Sequence, residues 1–289
     1  MTGSRRAIVW TLSLWILAGN SFADNTQTSS ATPPQRDYLV FGFLPIVSPE
    51  RLVKRFAPLV NYLSTELGTE IRMETAPDFA QFVQRTQNET RYDILFTAPH
   101  LYYLANQQAA YRALAKVGAD SLEAVIVTRT QGDIHTIDDL KGKRLATAGS
   151  LALSTLLTRQ LLLHKGLNPD QDLTLVATPS QNASLLSTLQ GTTDASALIL
   201  PVYRRARPQV LQNTRVIAHT GKAPHIPIAA APWLDATIAT RLQTVLITMS
   251  DNEKGRAVLQ ALEWPGFVTT SDATYQSFGP VIKQIKVTQ

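Results

Sequence analysis

The chain contains no cysteine. That excludes disulfide bridges, thiolate metal sites and thiol nucleophiles, and it removes the thiol a lipid anchor would need. Its five histidines show no HExxH spacing, and no GxSxG elbow, GxxxxGK[ST] loop or GxGxxG turn is present. With no nucleophile paired to a base, the protein is not expected to be an enzyme, and nothing calls for a cofactor or a metal. Asp138 and Asp139 are adjacent at the start of a short helix, where capping and dipole roles explain them more simply than a metal does. The chain also lacks a basic stripe. Its formal charge is +5, of which Arg5 and Arg6 supply two, and the other Lys and Arg residues are scattered. Nucleic acid is therefore not an expected partner. There is no internal repeat and, after the first two dozen residues, no long apolar run.

Those first residues have a purpose of their own. Arg5 and Arg6 precede an apolar run from Ala7 to Ala18, and Ser21-Phe22-Ala23 places small residues where an export peptidase reads them. The run is about 12 residues, short of the roughly 20 needed to span a bilayer. Residues 1–23 are expected to be a signal peptide cleaved after Ala23, and removal of its two arginines leaves +3 on an exported, periplasmic protein. Residues 24–36, DNTQTSSATPPQR, form a polar linker with nothing to bury. About 250 residues remain, enough for one large domain or two medium ones.

Tyr38 to Leu44, YLVFGFL, is a near-continuous apolar run of strand length, as expected where both faces are covered. Leu52, Phe56, Leu59, Val60, Leu63 and Leu67 then recur at helical spacing, with Gly68 as C-cap. A strand at Ile71–Thr75, a helix over 79–87 capped by Asp78, and a strand at Asp93–Thr97 complete a β-α-β-α-β alternation, which predicts a parallel sheet flanked by helices. Pro99 opens an aromatic-rich helix. Strands follow at 113–117 and 123–129, and the pattern then restarts: a strand at 144–148, a helix over about 151–165, a strand at 173–177, a helix to Gln190 and a strand at 195–200. Strand-like segments at 215–218 and 226–231 and helices over 234–249 and 251–262 bring the chain back to the first unit. Two lobes with a cleft between them are implied, lobe 1 at 37–127 plus 227–289 and lobe 2 at 128–226, with a hinge near 127–129 and 218–227.

Six segments in this order carry a resemblance. APLVNYLSTELG (57–68), YDILFTAPHLYYL (92–104), IDDLKGKRLA (137–146), LLLHKGLNP (161–169), LQGTTDAS (189–196) and APHIP (223–227) together resemble the periplasmic phosphate/phosphite/phosphonate-binding proteins of ABC importers. The resemblance implies an α/β, two-lobed type 2 periplasmic binding protein, each lobe a mainly parallel sheet flanked by helices. It would close on a small anion and deliver it to a membrane permease. It also places Thr97 and Tyr103 at the family's ligand turn, and Ser150, Ser154 and Thr155 where the family has a serine- and threonine-rich phosphonate turn. Two positions depart: Thr155 replaces a glycine, and Ser180-Gln181-Asn182 replaces a histidine and an acidic residue. Without that carboxylate an aminophosphonate is disfavoured, whereas anion binding is not.

The residues themselves offer helix N-termini as the anion site. Turns at Thr97, Ser150 and Ser180 would each leave free N–H groups beside a hydroxyl. Candidate ligand contacts are Ser48, Thr97, His100, Tyr103, Ser150, Ser154, Thr155, Ser180, Asn182 and His225. Five of them also have a plainer role. Ser150 and Ser180 suit N-caps, Tyr103 a half-buried core aromatic, His100 a surface position and His225 a hinge residue. Asp194, after Gly191, fits support of a strand end. The partner is expected to be an ABC permease or, alternatively, a membrane sensor kinase or cyclase that reads the liganded state of a monomer.

Overall fold

The structure is a computed structural model describing residues 36–282; the expected leader, its cleavage site and nearly all of the linker lie outside those residues. Among the described residues no helix is long and apolar enough to cross a membrane. The first unit runs β1 (Tyr38–Phe43), α1 (Pro49–Leu67), β2 (Glu70–Glu74), α2 (Phe79–Asn88), β3 (Ile94–Phe96), α3 (Pro99–Ala109) and β4 (Arg112–Val117). The second runs β5 (Ala124–Arg129), β6 (Arg144–Thr147), α4 (Leu153–His164), β7 (Thr174–Ala177), α5 (Gln181–Leu189), β8 (Ala195–Ile199), α6 (Leu200–Arg204), α7 (Pro208–Gln212) and β9 (Thr214–His219). The chain returns through β10 (Pro227–Ala230), α8 (Ala236–Ile247), α9 (Glu253–Leu262), β11 (Phe267–Thr269), a 3-10 turn at Asp272–Phe278 and α10 (Gly279–Ile282).

Two sheets result, ordered β11-β4-β10-β3-β1-β2 and β7-β6-β8-β5-β9. In the first, β1, β2, β3 and β4 share one direction, while β10 and β11 run against them. In the second, β6, β7, β8 and β9 agree and β5 is reversed. The sheets are thus mainly parallel in strand direction but mixed in pairing. The reversed strands β5 and β10 each follow directly on a crossing between the lobes.

β1 shows why its sequence reads as a continuous apolar run. Phe41 and Phe43 pack with Phe56, Leu59 and Leu63 of α1 and with Leu242 of α8, whereas Val40 and Leu44 face Phe82 of α2 and Leu101 of α3. Both faces are covered, so neither tolerates a polar side chain. Gly42 lies between them because a Cβ there would stand 2.5 Å from Cγ of Tyr92. Gly42→Ala is expected to destabilise the protein by about 2 kcal/mol, read as a shift of the urea midpoint. An unchanged midpoint would mean that the Tyr92 ring moves aside at no cost.

The first lobe crossing corrects the sequence reading. The expected boundary at 127/128 falls inside β5, and β5 pairs along its length with β8 and β9. The chain crosses at 118–123 and returns at 220–226. These two segments are bonded to each other: Leu122 N–H donates to the Ala223 carbonyl (2.8 Å), and Ala223 N–H to that of Leu122 (2.7 Å). The Thr220 hydroxyl accepts from Ala124 N–H at 2.9 Å. An apolar run such as EAVIVTR is compatible with either sheet, and only pairing assigns it. The short elements α6, α7 and β11 carried no periodic signal to read.

Candidate functional site

Among the helices that follow α1 and are longer than α6 and α7, the starts fall into two groups. Asp78, Ser180, Asp235 and Asn252 accept from first-turn N–H groups of α2, α5, α8 and α9. Such a cap is worth about 1 kcal/mol. α3 and α4 have no side-chain cap, and the cap position is alanine in both, Ala98 and Ala152. Pro99 has no N–H, so α3 leaves those of His100 and Leu101; α4 leaves those of Leu153, Ser154 and Thr155. All five residues are buried, and among the described residues these N–H groups have no acceptor. A buried helix end without partners lacks something to bind, and its positive dipole end favours an anion.

The two open ends are brought together. Nε2 of His100, on α3 of the first lobe, donates to the carbonyl of Leu151 in the turn before α4 of the second lobe, at 2.9 Å. His100 is only 1% exposed. Burial lowers its pKa to about 4, with the Leu151 carbonyl opposing that shift. In or beside the first turns of α3 and α4, the Thr97 hydroxyl, Nδ1 of His100 and the Ser154 hydroxyl are all buried without a partner among the described residues. The α4 turn is shaped by Gly149, whose φ of 94 suits glycine. Its carbonyl accepts from the Thr155 hydroxyl at 2.7 Å. Neither the 97–103 segment nor the 148–158 segment carries a charged side chain.

The fold agrees with what similarity shows. Residues 41–275 match the family described as ABC transporter, phosphonate, periplasmic substrate-binding protein. The chain belongs to that family. It is 22% identical over 274 residues to the phosphonates-binding periplasmic protein of Escherichia coli (strain K12), covering 89% of this chain and 81% of that one. Its fold is similar to that of PhnD1 from Prochlorococcus marinus (MIT 9301), solved in complex with methylphosphonate, at a TM-score of 0.76 and 16% identity over 86% of this chain and 97% of that one. It is also similar to a binding protein component of an ABC phosphonate transporter from Pseudomonas aeruginosa, at a TM-score of 0.74 and 16% identity over 86% of each. The two-lobed α/β architecture is therefore that of a type 2 periplasmic binding protein, and the chain is the periplasmic substrate-binding component of an ABC transporter.

Within this substrate-binding protein the expected contact residues separate. Thr97, His100 and Ser154 lie at the two open helix ends, and Thr155 closes the α4 turn from within. His100 corrects the surface reading, because a second lobe covers it. Ser150 is exposed and is not a cap, since α4 starts at Leu153 behind Ala152. Ser180 is a cap, accepting from Ala183 N–H at 3.1 Å, and Asn182 beside it is exposed. Ser48 is exposed at the start of α1, where the backbone N–H of Glu50 and the Ser48 hydroxyl hold the Glu50 carboxyl below the usual range. The half-buried Tyr103 directs its hydroxyl at Gly279, where an added Cβ would stand 2.9 Å away. His225 belongs to the crossing: Nδ1 accepts from Ile226 N–H at 2.8 Å, and its carbonyl accepts from the Tyr275 hydroxyl at 3.1 Å. Asp194 supports a strand end by accepting from Arg144 N–H at 2.8 Å, and Asp139 accepts from the N–H groups of His135 and Thr136 at 2.9 Å. Ala98, Ala152 and the Leu151 carbonyl were not candidates. A capping residue missing from two of these longer helices was the available signal.

The histidines predict an acid response. His100 and His225 both have pKa values lowered to about 4, in each case chiefly by burial, with the Lys116 charge adding to the effect on His225. Above the unfolded value of about 6.5 both states are neutral; below it the unfolded chain takes up protons that the folded one refuses until about pH 4. Stability should fall as pH drops through that window, by up to about 1.4 kcal/mol per pH unit for each group. Urea midpoints measured from pH 7 to 4 check this, and a flat profile would place both rings in water.

Proposed function

We propose that this protein closes on a small oxyanion of the phosphonate, phosphite or phosphate kind and presents the closed form to the permease of an ABC importer. The observation that carries the reading is the meeting of two uncapped, buried helix ends, one from each lobe, across the His100–Leu151 bond. Backbone N–H groups and hydroxyls converge there without a carboxylate in either turn, which favours a negative ligand and leaves an ammonium group nothing to pair with. Lobe 1 comprises the first sheet and its helices, lobe 2 the segment 124–219, and the hinge lies at 118–123 and 220–226. Thr97, His100, Ser154 and the N–H groups of α3 and α4 form the contact set. The protein acts as a monomer, exported and cleaved after Ala23, and closure follows from the ligand touching both lobes at once.

A thermal-shift panel on the chain from Asp24 onward tests this, with phosphate, phosphite, methylphosphonate, an amino acid and a neutral heterocycle. A true ligand at 100 times its Kd should add about 2.7 kcal/mol of stability. A shift with the heterocycle and none with the phosphorus oxyanions would overturn the ligand class.

A further inference from the structure

The bond that joins the lobes also sets the chemistry of the other side of the His100 ring. A carbonyl oxygen only accepts, so the 2.9 Å contact with Leu151 puts the hydrogen on Nε2. Nδ1 then carries a lone pair, and it is buried with no donor among the described residues. The remaining open groups at the junction differ from it. The N–H groups of α3 and α4 donate, and the hydroxyls of Thr97 and Ser154 rotate to suit. The junction asks its occupant for acceptors everywhere except at His100, where it asks for a hydrogen.

Building on the oxyanion reading above, we infer that the site selects a monoprotonated oxyanion whose own O–H donates to Nδ1 of His100. Hydrogen phosphonates and hydrogen phosphate meet that demand. A sulfonate or sulfate of the same size carries no proton at neutral pH and sets a charged oxygen against the lone pair. Burial denies the mismatch a rescue by water, and a site built around one hydrogen bond rejects an isostere lacking it far more strongly than shape alone does. His100 is thereby a specificity-determining residue that separates phosphorus from sulfur oxyanions.

The groups near His100 leave its own protonation steady. α3 contributes Tyr102 and Tyr103, and the 272–278 turn, whose Phe278 ring lies 6.1 Å from the imidazole, contributes Asp272 and Tyr275. Asp272 is held by the Tyr102 hydroxyl and by Ala113 N–H. The Leu151 turn and the first half of α4 carry no charge. Burial and the Leu151 carbonyl are what act on the ring. From pH 7 upward it stays neutral, and the ligand is the group that titrates.

Calorimetric titration of the chain from Asp24 onward with methylphosphonate, phosphate and methanesulfonate at pH 7, 8 and 9 tests the inference, alongside His100→Leu. Methanesulfonate should bind about 100-fold more weakly than methylphosphonate at pH 7, or not at all. Methylphosphonate affinity should fall about tenfold per pH unit beyond its second ionisation, as one linked proton requires. In His100→Leu the methylphosphonate affinity falls, the phosphonate-to-sulfonate ratio should approach one and the pH slope should flatten, which a purely structural role would not produce. Sulfonate binding within about threefold of phosphonate in the unaltered protein, a pH-independent phosphonate affinity, or a ratio preserved in the variant each overturns the inference. If these oxyanions bind with a pH-independent affinity, the oxyanion reading stands and only the proton is lost; if none binds at any pH, both fail.

Discussion

Ala98→Asp is expected to remove high-affinity oxyanion binding while leaving the unliganded protein as stable as before, or slightly more so. Ala98 has the extended geometry of an N-cap, φ −63 and ψ 148, yet offers no side-chain acceptor. An aspartate there would reach the N–H groups of His100 and Leu101, adding about 1 kcal/mol to α3 as a cap does elsewhere, and its charge would suit the helix dipole. It would also occupy the groups reserved for the ligand and repel any anion. Losing two charge-assisted hydrogen bonds at about 1.5–3 kcal/mol each corresponds to at least about 100-fold in affinity. Calorimetry and an apo melting curve read the two effects separately. Retained affinity would show that the ligand does not sit at α3, and a melting point lowered by many degrees would show that Ala98 is selected for packing. Stability forgone at the caps of α3 and α4, while the comparably long α2, α5, α8 and α9 keep theirs, is the pattern expected of a working site.

Leu157→Asp is expected to stop closure without unfolding either lobe. Every residue from Leu153 to Thr158 is buried, more than one face of a surface helix can account for. Thr158 and Leu162 lie four residues apart on one stripe, and Leu162 packs with Ile126, Leu145 and Ala197 of the second sheet. Leu153, Leu156 and Leu157 join a cluster that unites Ala124 and Ile199 of the second sheet with Leu101, Tyr102 and Leu122 of the first lobe and crossing. A carboxylate at 157 would lose its water only when the lobes meet, at a cost on the order of 3–5 kcal/mol for an unpaired buried charge. Since a ligand shifts the lobes only by its differential affinity for the closed form, its apparent affinity should fall by about 100-fold or more. Small-angle scattering with saturating methylphosphonate should show contraction in the unaltered protein and none in the variant. Contraction of the variant at ordinary ligand concentration would place Leu157 against its own sheet.

Much of the framework was legible residue by residue. YLVFGFL announced a strand covered on both faces, the leucine spacing and Gly68 bounded α1, and Asp78 marked the start of α2, because each rests on interactions within a few residues of chain. Even Asp194 could be read, as a short polar side chain beside a strand end. The site was legible only as a set of turns. Thr97-Ala98-Pro99 pointed to an open helix end, but Ser150 resembled the cap of α4, whereas the cap position is Ala152, two residues further on. The Ser180 hydroxyl proved to be committed to its own helix.

Sequence alone determined the alternation of strands and helices, the two-lobed order and the family, since these follow from local periodicity and from motifs in register along the chain. Tertiary structure alone decided that His100 is buried, that its partner is the carbonyl of Leu151, 51 residues away, and that the first half of α4 is buried all round. The physical reason is the same for all three. Burial and hydrogen-bond partners between lobes depend on how one sheet is set against another, and residues next to one another in the chain carry no record of that placement.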